Sequence, residues 1–146
     1  MKVVMASGVF DILHLGHVHY LNEAKKFGDR LVVVVARDVT VLRRKGRLPI
    51  VPDYLRVQLV GALKPVDEAI LGDTDDFYKT VEKVRPDVIV LGYDQKFEAA
   101  EIEAECGRRG LKVKVVRAPP LSHDLLATRR IIQKILEREG DRGKRS

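Results

Sequence analysis

The sequence predicts a doubly wound α/β domain built on a five-stranded parallel sheet. Short β-branched apolar runs alternate with stretches of helical periodicity from one end of the chain to the other. The second run, Leu31-Val32-Val33-Val34-Val35-Ala36, is almost continuously apolar, as a strand covered on both faces must be. The chain of 146 residues is long enough for one domain with a full core, and it holds no internal repeat, linker or low-complexity stretch.

Each element has its own signal. Val3-Val4-Met5-Ala6 reads as the first strand. Val18, Leu21, Ala24 and Phe27 then recur at helical spacing, with Phe27 expected in the core and Gly28 as the stop signal. After the second strand the connection carries a basic run, Arg43-Arg44-Lys45-Gly46-Arg47. Asp53 is expected to N-cap a helix that reaches about Leu63 and is stopped before Pro65. Glu68-Ala69-Ile70-Leu71 is a short third strand. Asp75 or Asp76 opens the next helix, which ends before Pro86. Val88-Ile89-Val90-Leu91 is the fourth strand, residues 98–109 a helix closed by Gly110, and Val113-Lys114-Val115-Val116 the fifth strand. Residues 127–139 form the last helix, closed by Gly140. The domain is therefore expected over residues 1–140. A basic tail, 141–146, carrying Arg142, Lys144 and Arg145, is expected to be solvated and frayed.

Right-handed crossovers put helices on both faces of such a sheet. Ligands then bind beyond the carboxyl ends of the strands, where the strand order reverses. The loops after Ala6, Ala36, Leu91 and Arg117 should accordingly carry the chemistry.

Composition narrows the function. With 45% hydrophobic and 33% charged residues the chain reads as a soluble globular protein, and no apolar run approaches the ~18 residues of a membrane span. Its first apolar stretch is too short for a signal peptide, which implies a cytoplasmic protein. The single cysteine, Cys106, excludes an internal disulfide framework and a Cys-rich metal site, and reads as a partly buried thiol on a helix. A net charge of +6 suits nucleic acid, but equally nucleoside triphosphates and other phosphates. Asn22, Gln58, Gln95 and Gln133 are the only uncharged amides, which leans towards a thermophilic source.

The loop after the first strand reads Ser7-Gly8-Val9-Phe10-Asp11-Ile12-Leu13-His14-Leu15-Gly16-His17. Gly8 lets the backbone turn and a ligand approach closely. Gly16 falls where the next helix begins, and its missing side chain leaves room for a phosphate at the helix N-terminus. His14 and His17 flank it, and their imidazoles can donate to phosphate oxygens where charge grows in a transition state. Metal binding by this pair would need further ligands, and His19 and His123 are the only other histidines. An ordinary pair of loop histidines is the plain alternative. His19 alone reads as a partly exposed helix residue.

Gly8-Val9-Phe10-Asp11 followed by His14-Leu15-Gly16-His17 resembles the signature of the HxGH nucleotidyltransferase superfamily, which includes glycerol-3-phosphate cytidylyltransferase and pantetheine-phosphate adenylyltransferase. The resemblance implies a Rossmann-like nucleotidyltransferase fold, with Gly8, Val9, Phe10, Asp11, His14, Gly16 and His17 in the nucleotide site. Val9 stands where the family usually has Thr. The basic run is on composition alone a solvated face or a nucleic-acid patch. By resemblance it clamps the triphosphate, with Lys45 the foremost residue and Arg43 and Arg44 assisting. Arg56 matches an arginine that the family places after a proline, here Pro52-Asp53-Tyr54-Leu55-Arg56, and is expected at the nucleotide; a surface arginine is the alternative. Gly92 and Asp94 fall in the loop that the family sets beside ribose and base, although Asp94 would also suit a simple turn. Cytidylyltransferases carry a Ser-Thr-Thr or Ser-Ser-Thr segment at the start of the last helix. Here only Thr128 keeps that register, with Ser122 and His123 upstream as possible substitutes.

Over nearly its whole length the chain resembles the small stand-alone FAD synthetases of archaea, through Val35-Ala36-Arg37-Asp38, Lys45-Gly46-Arg47, Pro49-Ile50-Val51-Pro52, Ala62-Leu63-Lys64-Pro65-Val66-Asp67 and Ile70-Leu71-Gly72. This implies AMP transfer from ATP to FMN, with His14, His17 and Lys45 catalytic. Mg2+ would travel with the triphosphate rather than in a protein cage. It also suggests a homodimer, with nucleic acid and membrane not expected as partners. A cytidylyltransferase using CTP and a small phosphorylated acceptor, and a non-catalytic nucleotide- or RNA-binding module on the same fold, are the alternatives.

Overall fold

The computed structural model describes residues 1–121 and 127–144. Its elements run β1 (Val3–Gly8), α1 (Leu15–Lys25), β2 (Arg30–Val35), α2 (Asp38–Lys45), α3 (Asp53–Gly61), β3 (Glu68–Leu71), α4 (Phe77–Val84), β4 (Val88–Leu91), α5 (Ala99–Arg108), β5 (Lys114–Arg117) and α6 (Thr128–Lys144). The five strands form one sheet in the order β3-β2-β1-β4-β5, and every pair is parallel. The order reverses between β1 and β4, so the switch point lies there.

Two cores follow from the period of two along each strand. Val4 and Ala6 of β1, Leu31, Val33 and Val35 of β2, and Val88 and Val90 of β4 face α1 and α3, where Leu21, Ala24 and Val60 close over them. Met5, Val34, Ile89 and Leu91 point the other way and meet Val81 of α4 with Ile102 and Cys106 of α5. Cys106 is fully buried, further inside than its sequence suggested.

Several boundaries differ from expectation. The basic run is not loop: Arg43, Arg44 and Lys45 form the last turn of α2, and Gly46 ends that helix with φ +74°. This helix has eight residues and only Val41 buried, so it leaves no periodic trace in the sequence. Cations in a final turn complement the helix dipole. Asp53 does not cap α3, for Pro52 holds that position. The Asp53 carboxylate instead accepts the Asp38 N–H at 2.9 Å and ties α3 to the start of α2. Asp76 does cap α4, accepting the Tyr78 N–H at 2.9 Å. Phe27 follows the end of α1 and is 38% exposed rather than in the core. Gly140 does not stop the last helix, which runs through it to Lys144. Glycine lowers helix propensity by about 1 kcal/mol, too little to end a helix alone.

Arg56 requires the largest correction. It is expected at the nucleotide, with the helix surface as its alternative, and it occupies neither place: its exposure is 0%. Its Nη1 donates to Val9 O at 2.7 Å and to Ala36 O at 2.8 Å, its Nε to Val51 O at 2.8 Å, and its Nη2 to Asp38 Oδ1 at 2.6 Å. A guanidinium has five donors in a rigid fork, and four of these are engaged by the loops around it. The residue pins the loops after β1 and β2 and the segment before α3. Arg56→Ala is expected to lower stability by about 3–5 kcal/mol, because Asp38 and three buried carbonyls lose their donor. The unfolding midpoint in urea checks this, and a shift under ~1 kcal/mol would mean that the fork is dispensable.

Candidate active site

The loop from Gly8 to His14 leaves β1 under steric constraint. Phe10 and Ile12 have φ of +57° and +48°, a region that residues with a Cβ enter at a cost of about 1–3 kcal/mol. Phe10 turns back inside at 3% exposure, and a Cβ on Gly8 would lie 3.0 Å from its ring. A side chain at Gly8 would thus crowd the Phe10 ring, apart from any approach of a ligand. Between the two strained residues, the Asp11 carboxylate accepts the Ile50 N–H at 2.8 Å and the Val51 N–H at 2.9 Å. Asp11 thereby orients the loop.

His14 is the N-cap of α1, and Gly16 and His17 are its second and third residues. The Gly16 N–H donates to His14 Nδ1 at 3.1 Å, and the His14 N–H donates to His17 Nδ1 at 3.2 Å. Two imidazoles thus perform the reciprocal capping usually made by a hydroxyl and a carboxylate. The rings stack with centroids 3.8 Å apart, and Phe10 packs against His17 at 5.3 Å. Burial, and then the neighbouring His14, push the His17 pKa down to about 4, against a smaller upward pull from Asp11. Burial lowers that of His14 as well. Both rings are therefore neutral at neutral pH. Since each Nδ1 accepts, each ring carries its proton on Nε2, and neither Nε2 has a protein partner among the described residues. Two N–H donors flank a helix start, where an anion is favoured.

Other elements converge on this edge. The Thr128 hydroxyl donates to Asp11 O at 2.6 Å, bringing the start of α6 against the β1 loop. Its one proton is thereby used, so the hydroxyl can face a phosphate only as an acceptor. Ser122 and His123 lie outside the described residues. Arg43 Nη1 donates to Thr74 O at 3.0 Å and stands 3.6 Å from Asp75, so part of its charge is already answered. Arg44, Lys45 and Arg47 are exposed. Gly92 is buried beyond β4, with Asp94 exposed two residues later.

Sequence reasoning passed over two residues that shape this loop. Arg117 Nη1 donates to Gly92 O at 2.8 Å and to Gln95 O at 2.7 Å, and its Nη2 donates to Phe97 O at 2.7 Å. The Gln95 side chain bonds back to Gly92 and to Ser7. A lone arginine at a strand end and a lone glutamine in a turn carry no spacing signal. His19 is not idle either, for its Nε2 lies 3.0 Å from Pro119 O, joining α1 to the exit of β5. Among the described residues no cluster of three or more His, Cys, Asp or Glu side chains is placed to share a metal ion, and no helix is long and apolar enough to cross a membrane.

Comparison with known proteins agrees with this fold. The profile of the family described as cytidylyltransferase-like matches residues 5–139. The chain is similar to the FAD synthase of Aciduliprofundum boonei, 62% identical over 97% of this chain and 95% of that one. It is similar to the FAD synthase of Thermoplasma volcanium, 52% identical over 95% and 97%. A crystal structure described as the lipopolysaccharide core biosynthesis protein from Thermoplasma volcanium GSS1 superposes with a TM-score of 0.81 at 55% identity, covering 84% of this chain and 99% of that one.

The histidine pair links the site to pH. An unfolded histidine titrates at about 6.5. Between that value and about 4, the unfolded chain binds a proton that folded His17 refuses. Its contribution is complete above the unfolded value and is lost as pH falls towards 4. The unfolding midpoint should drop across this window. The drop should be smaller in His17→Asn, whose amide oxygen can still accept the His14 N–H. Equal drops in both proteins would remove His17 as the source.

Proposed function

The chain belongs to the cytidylyltransferase-like family, and we propose from that premise how the edge built around His14 and His17 performs its reaction. The chain is a nucleotidyltransferase: it transfers AMP from ATP to FMN, giving FAD and pyrophosphate. A phosphate oxygen of FMN attacks the α-phosphorus of ATP in line, the bond from that phosphorus to the bridging oxygen of pyrophosphate breaks, and pyrophosphate leaves. No covalent enzyme intermediate is required, so the protein supplies positioning and charge stabilisation.

The observation that carries the residue roles is the neutral, doubly capped histidine pair. His14 and His17 would donate from Nε2 to the α-phosphate oxygens as charge builds on them, and the start of α1 at Gly16 would favour the same anion. Lys45 would neutralise the outer phosphates with Arg44, while Arg43 would have to give up Asp75 to join them. The triphosphate would enter as its Mg2+ complex. Phosphate contacts from α6 would come from backbone N–H groups at its start rather than from the Thr128 proton. Gly92 and Asp94 would border the nucleoside.

An apolar slot for the flavin has support at the same edge. Tyr93 and Phe97 stand exposed after β4 and Leu121 after β5, the composition a three-ring system needs. The homodimer belongs to this reading too. Leu48, Ile50, Tyr54 and Leu59 are all exposed within a short stretch of chain, more apolar surface than solvent exposure alone favours.

Two experiments test the proposal. The protein incubated with FMN and ATP should yield a product heavier than FMN by one AMP unit, with pyrophosphate released. Product from glycerol 3-phosphate and CTP, with none from FMN, would transfer the assignment to the cytidylyltransferase alternative. Lys45→Ala should raise KM for ATP about 10- to 100-fold, the worth of one charge-assisted hydrogen bond, and leave KM for FMN near its original value. An unchanged KM for ATP would take Lys45 out of the site.

A further inference from the structure

Three carbonyl groups of one loop turn towards a single side chain. The loop runs from Gly92 to Phe97, between β4 and α5. Arg117, the last residue of β5, reaches back to it. Its Nη1 donates to Gly92 O at 2.8 Å and to Gln95 O at 2.7 Å, and its Nη2 donates to Phe97 O at 2.7 Å. A guanidinium holds its donors in one plane at fixed separations, so three carbonyls bound to it are fixed relative to one another. A lysine would offer its donors from one point and could not set that spacing.

Little else holds this loop. The Gln95 N–H donates to Gly92 O at 3.2 Å and closes a turn with Tyr93 and Asp94 at its tip. The Gln95 side chain accepts the Gly92 N–H at 2.8 Å and donates to Ser7 O at 3.1 Å, which ties the turn to the end of β1. Phe97 stacks on Phe77 with ring centroids 6.2 Å apart. Tyr93, Asp94 and Lys96 are exposed, and their side chains have no hydrogen-bond partner among the described residues. An exposed turn with so few buried contacts opens readily unless it is anchored. The shape of its tip is therefore set by the bonds of Arg117 and Gln95.

We propose that Arg117 is a positioning residue for ATP: it holds the loop after β4 in the shape that borders the nucleoside, and it acts through that loop rather than on the phosphates. The proposal rests on the reading of Gly92 and Asp94 as the nucleoside border. It adds the residue that fixes the border, and a link from there to the phosphate edge. Ser7, which Gln95 grips, directly precedes Gly8 and the loop that leads to His14 and His17. One connected set of bonds, from Arg117 through the turn and Gln95 to Ser7, thus places the nucleoside relative to the α-phosphate. A loop ordered in advance also spares ATP the entropy of ordering it on binding.

Arg117→Gln and Arg117→Lys test it, through equilibrium binding of ATP and of pyrophosphate, each with Mg2+ and without FMN. Pyrophosphate carries the anionic end of ATP and lacks the nucleoside. Arg117→Gln should weaken ATP about tenfold, the scale of one or two net hydrogen bonds, and leave pyrophosphate at its original affinity. Arg117→Lys should weaken ATP less, since it keeps a donor near the loop but loses the planar fork. It carries the same comparison should the glutamine variant fail to fold. FMN stays out of the comparison because Tyr93 and Phe97, proposed for the flavin slot, lie on the same loop. ATP binding by the unsubstituted protein is measured first. No binding there overturns the reading of the site, and the proposal with it. An ATP affinity unchanged in every variant that folds overturns the proposal alone. An equal loss for ATP and pyrophosphate overturns it too. Arg117 would then act on the phosphates directly, through its Nε–H and second Nη2 proton, which have no partner among the described residues.

Discussion

A charge without access to water must be met by partners on every side, and Arg56 draws its partners from the segments that build the site. Val9 lies on the loop after β1, Ala36 at the exit of β2, Val51 in the approach to α3, and Asp38 at the start of α2. The backbone at Phe10 and Ile12 would relax if nothing held it. It is held through Val9 O from one side, through the Asp11 carboxylate on Ile50 and Val51, and through the Thr128 hydroxyl on Asp11 O. One buried side chain thus fixes a loop with which it shares only a carbonyl contact. The positions of His14 and His17 follow from where that loop ends.

The histidine pair shows how a single set of hydrogen bonds can determine several properties. Because each Nδ1 accepts a backbone N–H, the tautomer, the ring orientation and the start of α1 are one event. Protonation at Nδ1 would destroy the acceptor and with it the cap, which adds to the burial that already opposes charge on these rings. Neutral imidazoles serve a phosphate well in this setting. They present donors to charge as it develops, without first binding a resident anion that a substrate would have to displace.

Much of the fold was legible because a sheet covered on both faces leaves a simple trace. The runs from Val32 to Val35 and from Val88 to Leu91 have no plausible home except a buried parallel sheet, and they appear there. The HxGH loop was legible as well, since Gly8, His14, Gly16 and His17 keep a spacing that ordinary packing does not require. Short and side-chain-dependent features were hidden. α2 buries one residue and shows no period, so its basic turn read as loop. Asp53 looked like a cap because cap and first-turn positions favour the same residue type. Arg56 could not be told from a surface or ligand-binding arginine, because its burial depends on four acceptors contributed by chain segments up to 47 residues away. Gln95 reaches from the loop after β4 to Ser7 O on β1, a contact that no local pattern encodes.

The edge divides into a fixed part and a movable one, and the reaction gives each a use. His14, His17, Asp11 and Thr128 are joined to one another or to backbone, so on the proposed reading the surroundings of the α-phosphate would be set before substrate arrives. Lys45, Arg44 and Arg47 extend into solvent from the end of α2, where rotamer freedom is retained. Rigidity matters where bonds form and break, since a misplaced donor loses most of its effect on developing charge. Mobility matters at the outer phosphates, because pyrophosphate must leave after each turnover and cations locked around it would hold it back. A transferase that relies on placement alone therefore gains from locking only the half of its site that faces the reacting phosphorus, and on the proposed reading this chain would lock that half with side-chain-to-backbone hydrogen bonds while leaving Arg44, Lys45 and Arg47 exposed.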